Sequence, residues 1–370
     1  METKKKEIVC ERCLMNEEVV GFKKLTIGCN FCDCFFIQKK LHCRSHIDLK
    51  NILSDEVLPF DGKYHAVLGI SAGYDSSSVC YWAKKAGLKV LLVHVDNGFN
   101  TKIADGNIKA LINWSGFDIV YPEVDVSAFS KFYLTMIRSG VINLEHLSDL
   151  AITSNVLRVL KEKNIPLLIS GVNINTEALR VASWGSPNTD KKNLLGIARF
   201  FGLKSIRSFR SLFLLNVWQI RKILFNRRVI YPLNYLDYNS FDMSKKLCEE
   251  VPGYGLYGEK HEESILTDWY QWYWLPRKYG IDKRRVVYSN NVLAFQMTRE
   301  EALKKLSVPM KYKLYQMEFL TDKFGFKNVS EFEHFLYKIK PMPYERYGND
   351  KKLRFLAKYY FGLRRRLRGY

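Results

Sequence analysis

No run of eighteen apolar residues occurs in this chain of 370, and its greasiest stretch, Leu212 to Phe225, is broken by Gln219, Arg221 and Lys222. A transmembrane helix is therefore not expected. The opening Met-Glu-Thr-Lys-Lys-Lys-Glu runs into cysteines and charges without an apolar signal core, so the expected location is the cytoplasm. Cysteine is scarce beyond residue 43, where only Cys80 and Cys248 remain. Acid is missing from two segments: residues 191–230 hold ten Lys or Arg and no Asp or Glu, and residues 351–370 hold eight and none. These two segments carry nearly all of the net charge of +20, so the chain is not uniformly basic. Such segments suit nucleic acid, an anionic membrane surface, or an acidic partner or substrate. Both are interleaved with aromatics, Phe200, Phe201, Phe209, Phe213, Trp218 and Phe225 in the first and Phe355, Tyr359, Tyr360 and Phe361 in the second. Amphipathic helices with a solvated basic face account for them equally simply. What is present, 47% hydrophobic and 14% aromatic residues, excludes a disordered or collagen-like chain and fits two or three globular domains.

Six of the eight cysteines fall in the first 43 residues. Cys10-x2-Cys13 and Cys29-x2-Cys32, fifteen residues apart, have the spacing of a four-cysteine zinc ribbon. Each knuckle sets two thiolates on one side of a tight turn, and two knuckles complete a tetrahedron. Disulfides are the alternative, but they fit poorly with a chain lacking a secretion signal. Cys34 and Cys43 are spare thiols, and Cys34 is an alternative ligand to Cys32. So short a segment has little core of its own, so the metal is expected to fold it.

Residues 66–70, Ala-Val-Leu-Gly-Ile, read as a buried strand. A loop of small and hydroxyl residues follows, Ser71-Ala72-Gly73-Tyr74-Asp75-Ser76-Ser77, and Val79, Trp82 and Ala83 open a helix. A second strand, Lys89 to Val95, ends at Asp96-Asn97-Gly98, and a third, Pro166 to Ile169, runs into Ser170-Gly171-Val172-Asn173. Alternating strands and helices imply an α/β fold with a doubly wound parallel sheet that binds ligands at the carboxyl ends of its strands. Free N–H groups and the helix dipole make the loop a phosphate site. It is not a Walker A loop, because no Gly-Lys-Ser/Thr follows. Gly253-Tyr-Gly255-Leu-Tyr-Gly258 spells a dinucleotide fingerprint, but it follows no apolar strand and reads as a flexible turn.

The loop resembles the Ser-Gly-Gly-x-Asp-Ser signature of the PP-loop ATP pyrophosphatases, with Ala72 in place of the second residue's glycine. If that position needs positive φ, alanine costs roughly 1–2 kcal/mol. The resemblance implies an ATP site made of Gly69, Ser71, Ala72, Gly73, Tyr74, Asp75, Ser76, Ser77, Val95, Asn97, Gly171, Asn173 and Glu177. NAD synthetases of that superfamily place a Glu six residues after an equivalent Gly, where it binds magnesium with the loop Asp. The corresponding residues here are Glu177 and Asp75. A glutamate complementing a helix dipole is the alternative for Glu177.

In the C-terminal half, Lys260-His261-Glu262-Glu263-Ser264 precedes the aromatic run Trp269 to Trp274, which reads as helix core. Tyr279 to Arg285 and Gln296 to Leu303 follow, the latter with a capping box at Thr298 and Glu301. Together with the cysteine knot and the loop, in this order, they resemble the N-acetyl sugar amidotransferase family of lipopolysaccharide and surface-glycan biosynthesis, over roughly residues 8–310. The resemblance implies three regions: a zinc ribbon (1–50), a PP-loop domain (60–240), and a mostly helical substrate- and partner-binding region with a basic tail (241–370). It further implies ATP, Mg2+ and structural Zn2+, and conversion of an acetamido group on a nucleotide-linked sugar to an acetamidino group. The sugar would be of the diacetamido uronic acid or nonulosonic acid type. Asp75, Lys260 and His261 would be catalytic, and Lys260, His261, Glu263, Ser264, Lys283 and Arg284 would bind the sugar nucleotide. Ammonia would come from a HisH-like glutaminase, since the chain has no Gly-x-Cys-x-Gly elbow and does not begin with a nucleophilic Cys. Nucleic acid is not an expected partner, while peripheral membrane association is compatible with the basic segments. A tRNA-thiolating PP-loop enzyme and a non-catalytic scaffold are the competing readings. The first normally needs cysteines near the ATP site.

Overall fold

The computed structural model describes residues 8–203, 212–258, 260–310 and 313–367. Lys204, Arg207, Phe209 and Arg210 of the first basic segment lie outside the described residues. In chain order the elements used below are α1 (Asn30–His42), β1 (Ala66–Gly69), α2 (Tyr74–Lys85), β2 (Val90–Val93), α3 (Lys102–Ser115), β3 (Asp118–Val120), α4 (Val126–Ser139), α5 (His146–Glu162), β4 (Leu167–Ile169) and α6 (Ile174–Glu177). They continue with α7 (Lys191–Phe200), α8 (Val217–Leu224), β5 (Arg228–Ile230), α9 (Ser240–Glu250), α10 (Ile265–Trp269), α11 (Arg284–Leu293), α12 (Arg299–Ser307), α13 (Leu314–Phe324), α14 (Val329–Lys338) and α15 (Lys351–Leu367).

The five strands make one parallel sheet in the order β3-β2-β1-β4-β5, with Ala66 opposite both Val90 and Leu167. The chain steps outward from β1 in one direction and then from β4 in the other. The crevice between their carboxyl ends is therefore the switch point where such sheets bind ligands. Both faces are covered, as the continuous apolar runs Ala-Val-Leu and Val-Leu-Leu-Val require. Alternate residues point opposite ways. Val67 and Leu91 face a core shared with α4, α5 and the C-terminal helices, while Ala66, Leu68, Val90 and Leu92 face α2 and α9. The aromatic run is helix core as expected: Trp269, Tyr270 and Trp274 are fully buried beside Met317, Leu320 and Phe332. The same apolar core thus joins the sheet to the C-terminal helices.

The N-terminal segment is a docked knot. The sulfurs of Cys10, Cys13, Cys29 and Cys32 lie within 4.8 Å of one another and are wholly buried. Arg12 N–H and Met15 N–H donate to the sulfurs of Cys10 and Cys13, at 3.4 Å each, as thiolate knuckles do. Cys34 is exposed and outside the cluster, because two residues beyond Cys32 on α1 it faces the opposite side of the helix, so its place as an alternative to Cys32 is corrected. The knot packs on Ala178, Leu179, Val181 and Leu293, just beyond Glu177 and at the end of α11. Arg299 donates to the carbonyls of Cys10 and Cys13, and Arg285 to that of Leu14.

Candidate active site

The loop after β1 enters α2 with Gly73 as its cap residue and no side chain capping the first turn. Ala72 sits at φ +65°, the left-handed conformation that its alanine makes costly by roughly 1–2 kcal/mol. Its methyl is fully buried against Ala104 and Ile108, which returns about 0.8 kcal/mol. Tyr254 also donates to the Ala72 carbonyl, at 3.3 Å. The alanine is therefore tolerated, and the loop keeps its shape.

Gly171, at the end of β4, is required by close approach. A Cβ there would lie 2.9 Å from the Asp75 carbonyl carbon and the Ser76 nitrogen. The turn after β4 meets the first turn of α2 backbone to backbone, which brings α6 and its Glu177 to the start of α2. Asn173 caps α6, accepting from Thr176 N–H at 3.0 Å, and is buried.

A charge cluster fills this junction. Lys260 Nζ lies 3.2 Å from Asp75 and 3.5 Å from Glu177, and donates to Thr176 Oγ1 at 3.1 Å. Tyr238, almost fully buried, donates to the other Asp75 oxygen at 2.5 Å. Burial works against the Lys260 charge, but Asp75 and Glu177 outweigh it and hold the ammonium above its ordinary range. Burial and the adjacent Asp75 together push Tyr238 well up, so it remains a donor.

Facing the loop, His261 adopts φ +75° and its Nδ1 lies 3.8 Å from Glu263. The Glu263 carboxylate in turn lies against Gly73, where a Cβ would approach it to 3.1 Å. Strain in a residue lining a cavity is a common mark of a working site. Behind it, Glu145 pairs with Lys283 at 3.2 Å and accepts from Gln271 at 2.9 Å. Burial would raise Glu145, yet Lys283 and His261 hold it low. Burial and then Glu145 push Asp149, one turn along α5, up to about 7.

Ser71, Gly73, Tyr74, Asp75, Ser76, Gly171, Glu177, Lys260, His261 and Glu263 line one cavity of about 410 Å³, a size suited to a small-molecule ligand. Val287, Tyr288, Asn291, Met297 and Lys305 close its far wall. Other sequence-derived site residues lie elsewhere. Gly69 and Val95 belong to or follow the strands, and Asn97 accepts from Phe99 N–H. Ser77 is buried and accepts from Tyr254, and Ser264 caps α10. Lys283 is committed to Glu145. Arg284 is placed away from the cavity: it pairs with Asp282 and donates to the carbonyls of Leu306 and Val308.

The Gly253–Gly258 segment is not the flexible turn its composition suggests. Tyr254 bonds the loop at Ala72 and Ser77, the Tyr257 backbone and the Tyr74 hydroxyl exchange bonds of 2.6 and 2.9 Å, and Asn107 pairs with the Gly255 backbone. Its glycines let the chain lie flat over α2 and α3, and its tyrosines clasp the loop after β1. No local pattern marks Tyr238, Thr176, Glu145 or Asp149 as neighbours of this site.

The fold and site define a parallel α/β protein whose uncapped loop-to-helix entry lies at the switch point of its sheet. Residues 263–360 match the family described as LPS biosynthesis protein WbpG-like, C-terminal domain, in support of the surface-glycan amidotransferase resemblance. Among solved structures, an NH3-dependent NAD synthetase from Campylobacter jejuni subsp. jejuni NCTC 11168, in complex with the nitrate ion, aligns over 77% of this chain and 100% of its own. It is 14% identical, with a TM-score of 0.28. No curated protein matches.

Proposed function

We propose that this chain is an ATP-dependent amidotransferase that turns an N-acetyl group of a nucleotide-linked sugar, of the diacetamido uronic acid or nonulosonic acid type, into an acetamidino group. One observation carries the reading: the anion loop and the WbpG-like segment, through Glu263, Tyr288, Asn291 and Lys305, line the same cavity. An amide carbonyl is a poor electrophile and its oxygen a poor leaving group, so activation must come first. The acetamido oxygen bonds the α-phosphorus of ATP as the bond to pyrophosphate breaks. Ammonia adds to the carbon, AMP departs with the oxygen, and a proton passes to a base.

The chain's own groups divide this work. Backbone N–H groups at Gly73 to Ser76 and the hydroxyls of Ser71 and Ser76 receive the departing pyrophosphate. Lys260 supplies positive charge beside them, and Tyr238 and Thr176 fix Asp75. His261, in the cavity beside Glu263, accepts the proton from nitrogen. Asp75 and Glu177 converge on the Lys260 ammonium; their carboxylate oxygens would also suit magnesium, which would neutralise phosphate charge if it entered with the nucleotide. The four cysteines fit zinc, as a structural ion. Ammonia comes from a separate HisH-like glutaminase.

The test is ATP–pyrophosphate exchange with purified chain. Exchange should require the sugar nucleotide and not tRNA, and high ammonium at alkaline pH should support amidine formation, read by mass spectrometry. Exchange driven by tRNA would favour thiolation, although no cysteine is among the residues lining the cavity. No exchange at all would leave a scaffold. Efficient use of glutamine by the chain alone would remove the glutaminase from the scheme. A further expectation concerns Gly171→Ala: it should weaken ATP binding by roughly tenfold or more in titrations, since the two loops must part.

A further inference from the structure

The two acid-free segments of the sequence meet in space. Helix α15 packs on α8 through Leu353, Ala357 and Phe361, which seat on Val217, Trp218 and Phe225. That stripe runs i, i+4, i+8 and accounts for one side of the helix. A second stripe, Leu356, Tyr359 and Leu363, runs i, i+3, i+7 on the outside, at 56, 67 and 47% exposure, and Tyr360, packed on Trp218 at 5.0 Å, joins it to the first. Phe355, at 70% exposure, extends it. Lys351, Lys352, Lys358 and Arg364 stand exposed on the same helix, and Lys222 is exposed on α8 beneath it.

We propose that α15, held against α8, is a membrane-surface helix that lays this stripe into a bilayer rich in anionic phospholipid. A cationic helix with an exposed Leu, Tyr and Phe stripe has the make-up of an interfacial helix, and the acid-free sequence around it complements negative headgroups. No described helix is long and apolar enough to cross a membrane, so the helix lies on the surface. Nucleic acid would use the cations and aromatic faces but has no use for two exposed leucines. A protein partner would need a groove to receive a helix that is already docked on its other side, whereas a lipid plane needs none. The proposal stands whether or not the amidotransferase reading holds.

The full chain should float with vesicles of phosphatidylcholine plus phosphatidylglycerol, and much less with phosphatidylcholine alone. High salt should weaken that binding. Leu356→Asp with Leu363→Asp should lower partitioning by at least about tenfold, while thermal melting stays at the wild-type value because both side chains face outward. Lys352→Gln with Lys358→Gln should reduce the preference for anionic vesicles. No flotation of the wild type, equal binding to neutral and anionic vesicles, or full binding by the aspartate variant would each overturn the proposal. So would salt-sensitive capture of tRNA or an acidic protein by this helix while vesicles are ignored.

Discussion

Asp75→Asn should lower ATP–pyrophosphate exchange by on the order of a thousandfold, and Lys260→Gln by at least a hundredfold, because both act where phosphate charge develops. The two variants should differ in stability. Asp75→Asn removes a carboxylate but leaves Lys260 paired with Glu177 at 3.5 Å. Lys260→Gln leaves Asp75 and Glu177 facing one another without their shared cation, and Asp75 is largely shielded from water. Breaking such a pair by removing one partner is the expensive operation. Lys260→Gln should therefore melt lower than Asp75→Asn. The double variant should recover part of that loss while remaining inactive. Glu177→Gln should cut turnover and alter magnesium dependence; a Glu177→Gln enzyme with normal turnover and normal magnesium dependence would remove that residue from the site. Equal melting temperatures for the single variants would show that the cluster adds nothing to folding.

Removing two zinc ligands, as in Cys29→Ser with Cys32→Ser, should have the largest effect on the folded state. Structural zinc sites contribute on the order of 10 kcal/mol in isolated peptides. Half of that lowers the melting temperature of a chain this size by about 6 °C. The damage should reach the active site. Beneath the knot run Ala178 to Val181, directly after Glu177, and Leu179 N–H donates to Asn290 of α11 at 2.9 Å. Any soluble remainder should thus show weakened nucleotide binding while chemistry per bound nucleotide changes less. Elemental analysis of chelator-free protein should find one zinc per chain, bound by Cys10, Cys13, Cys29 and Cys32. Finding none would dismiss the metal.

How much of this was legible in the sequence depended on how local each cause is. The strands at 66–70 and 166–169, the loop, the cysteine knuckles and the Thr298–Glu301 capping box are set by neighbours a few residues apart, and all are where the pattern puts them. The resemblance put Lys260 and Asp75 in one site, but their ion pair was not foreseen, since no spacing rule joins residues so far apart in sequence. Tyr238 had no signal at all: it reaches Asp75 across 163 positions because the sheet order puts the turn after β5 beside β4. Gly253–Gly258 was visible as a pattern but misread, because what the glycines permit there depends on α2 and α3 lying below. Arg284 shows the opposite error. A basic residue in a promising stretch is spent on closing the end of α12.

The knot's docking also has a consequence for how the chain is made. Its cysteines leave the ribosome long before residues 285–299, and the sulfur cluster needs only residues 10–32 to close. Its seat is built from Arg285, Ser289 and Arg299, with contacts spanning 271 to 289 positions. The metal unit can therefore be complete while most of the protein is still unsynthesised, and must then wait with its packing face bare. Contacts of such long range are the slow ones to form, and surface left open meanwhile is prone to stick. If the knot takes zinc, as proposed, a cell short of it would lose this protein during synthesis, through failed docking of residues 10–32 on 285–299, well before any finished molecule had to surrender its ion.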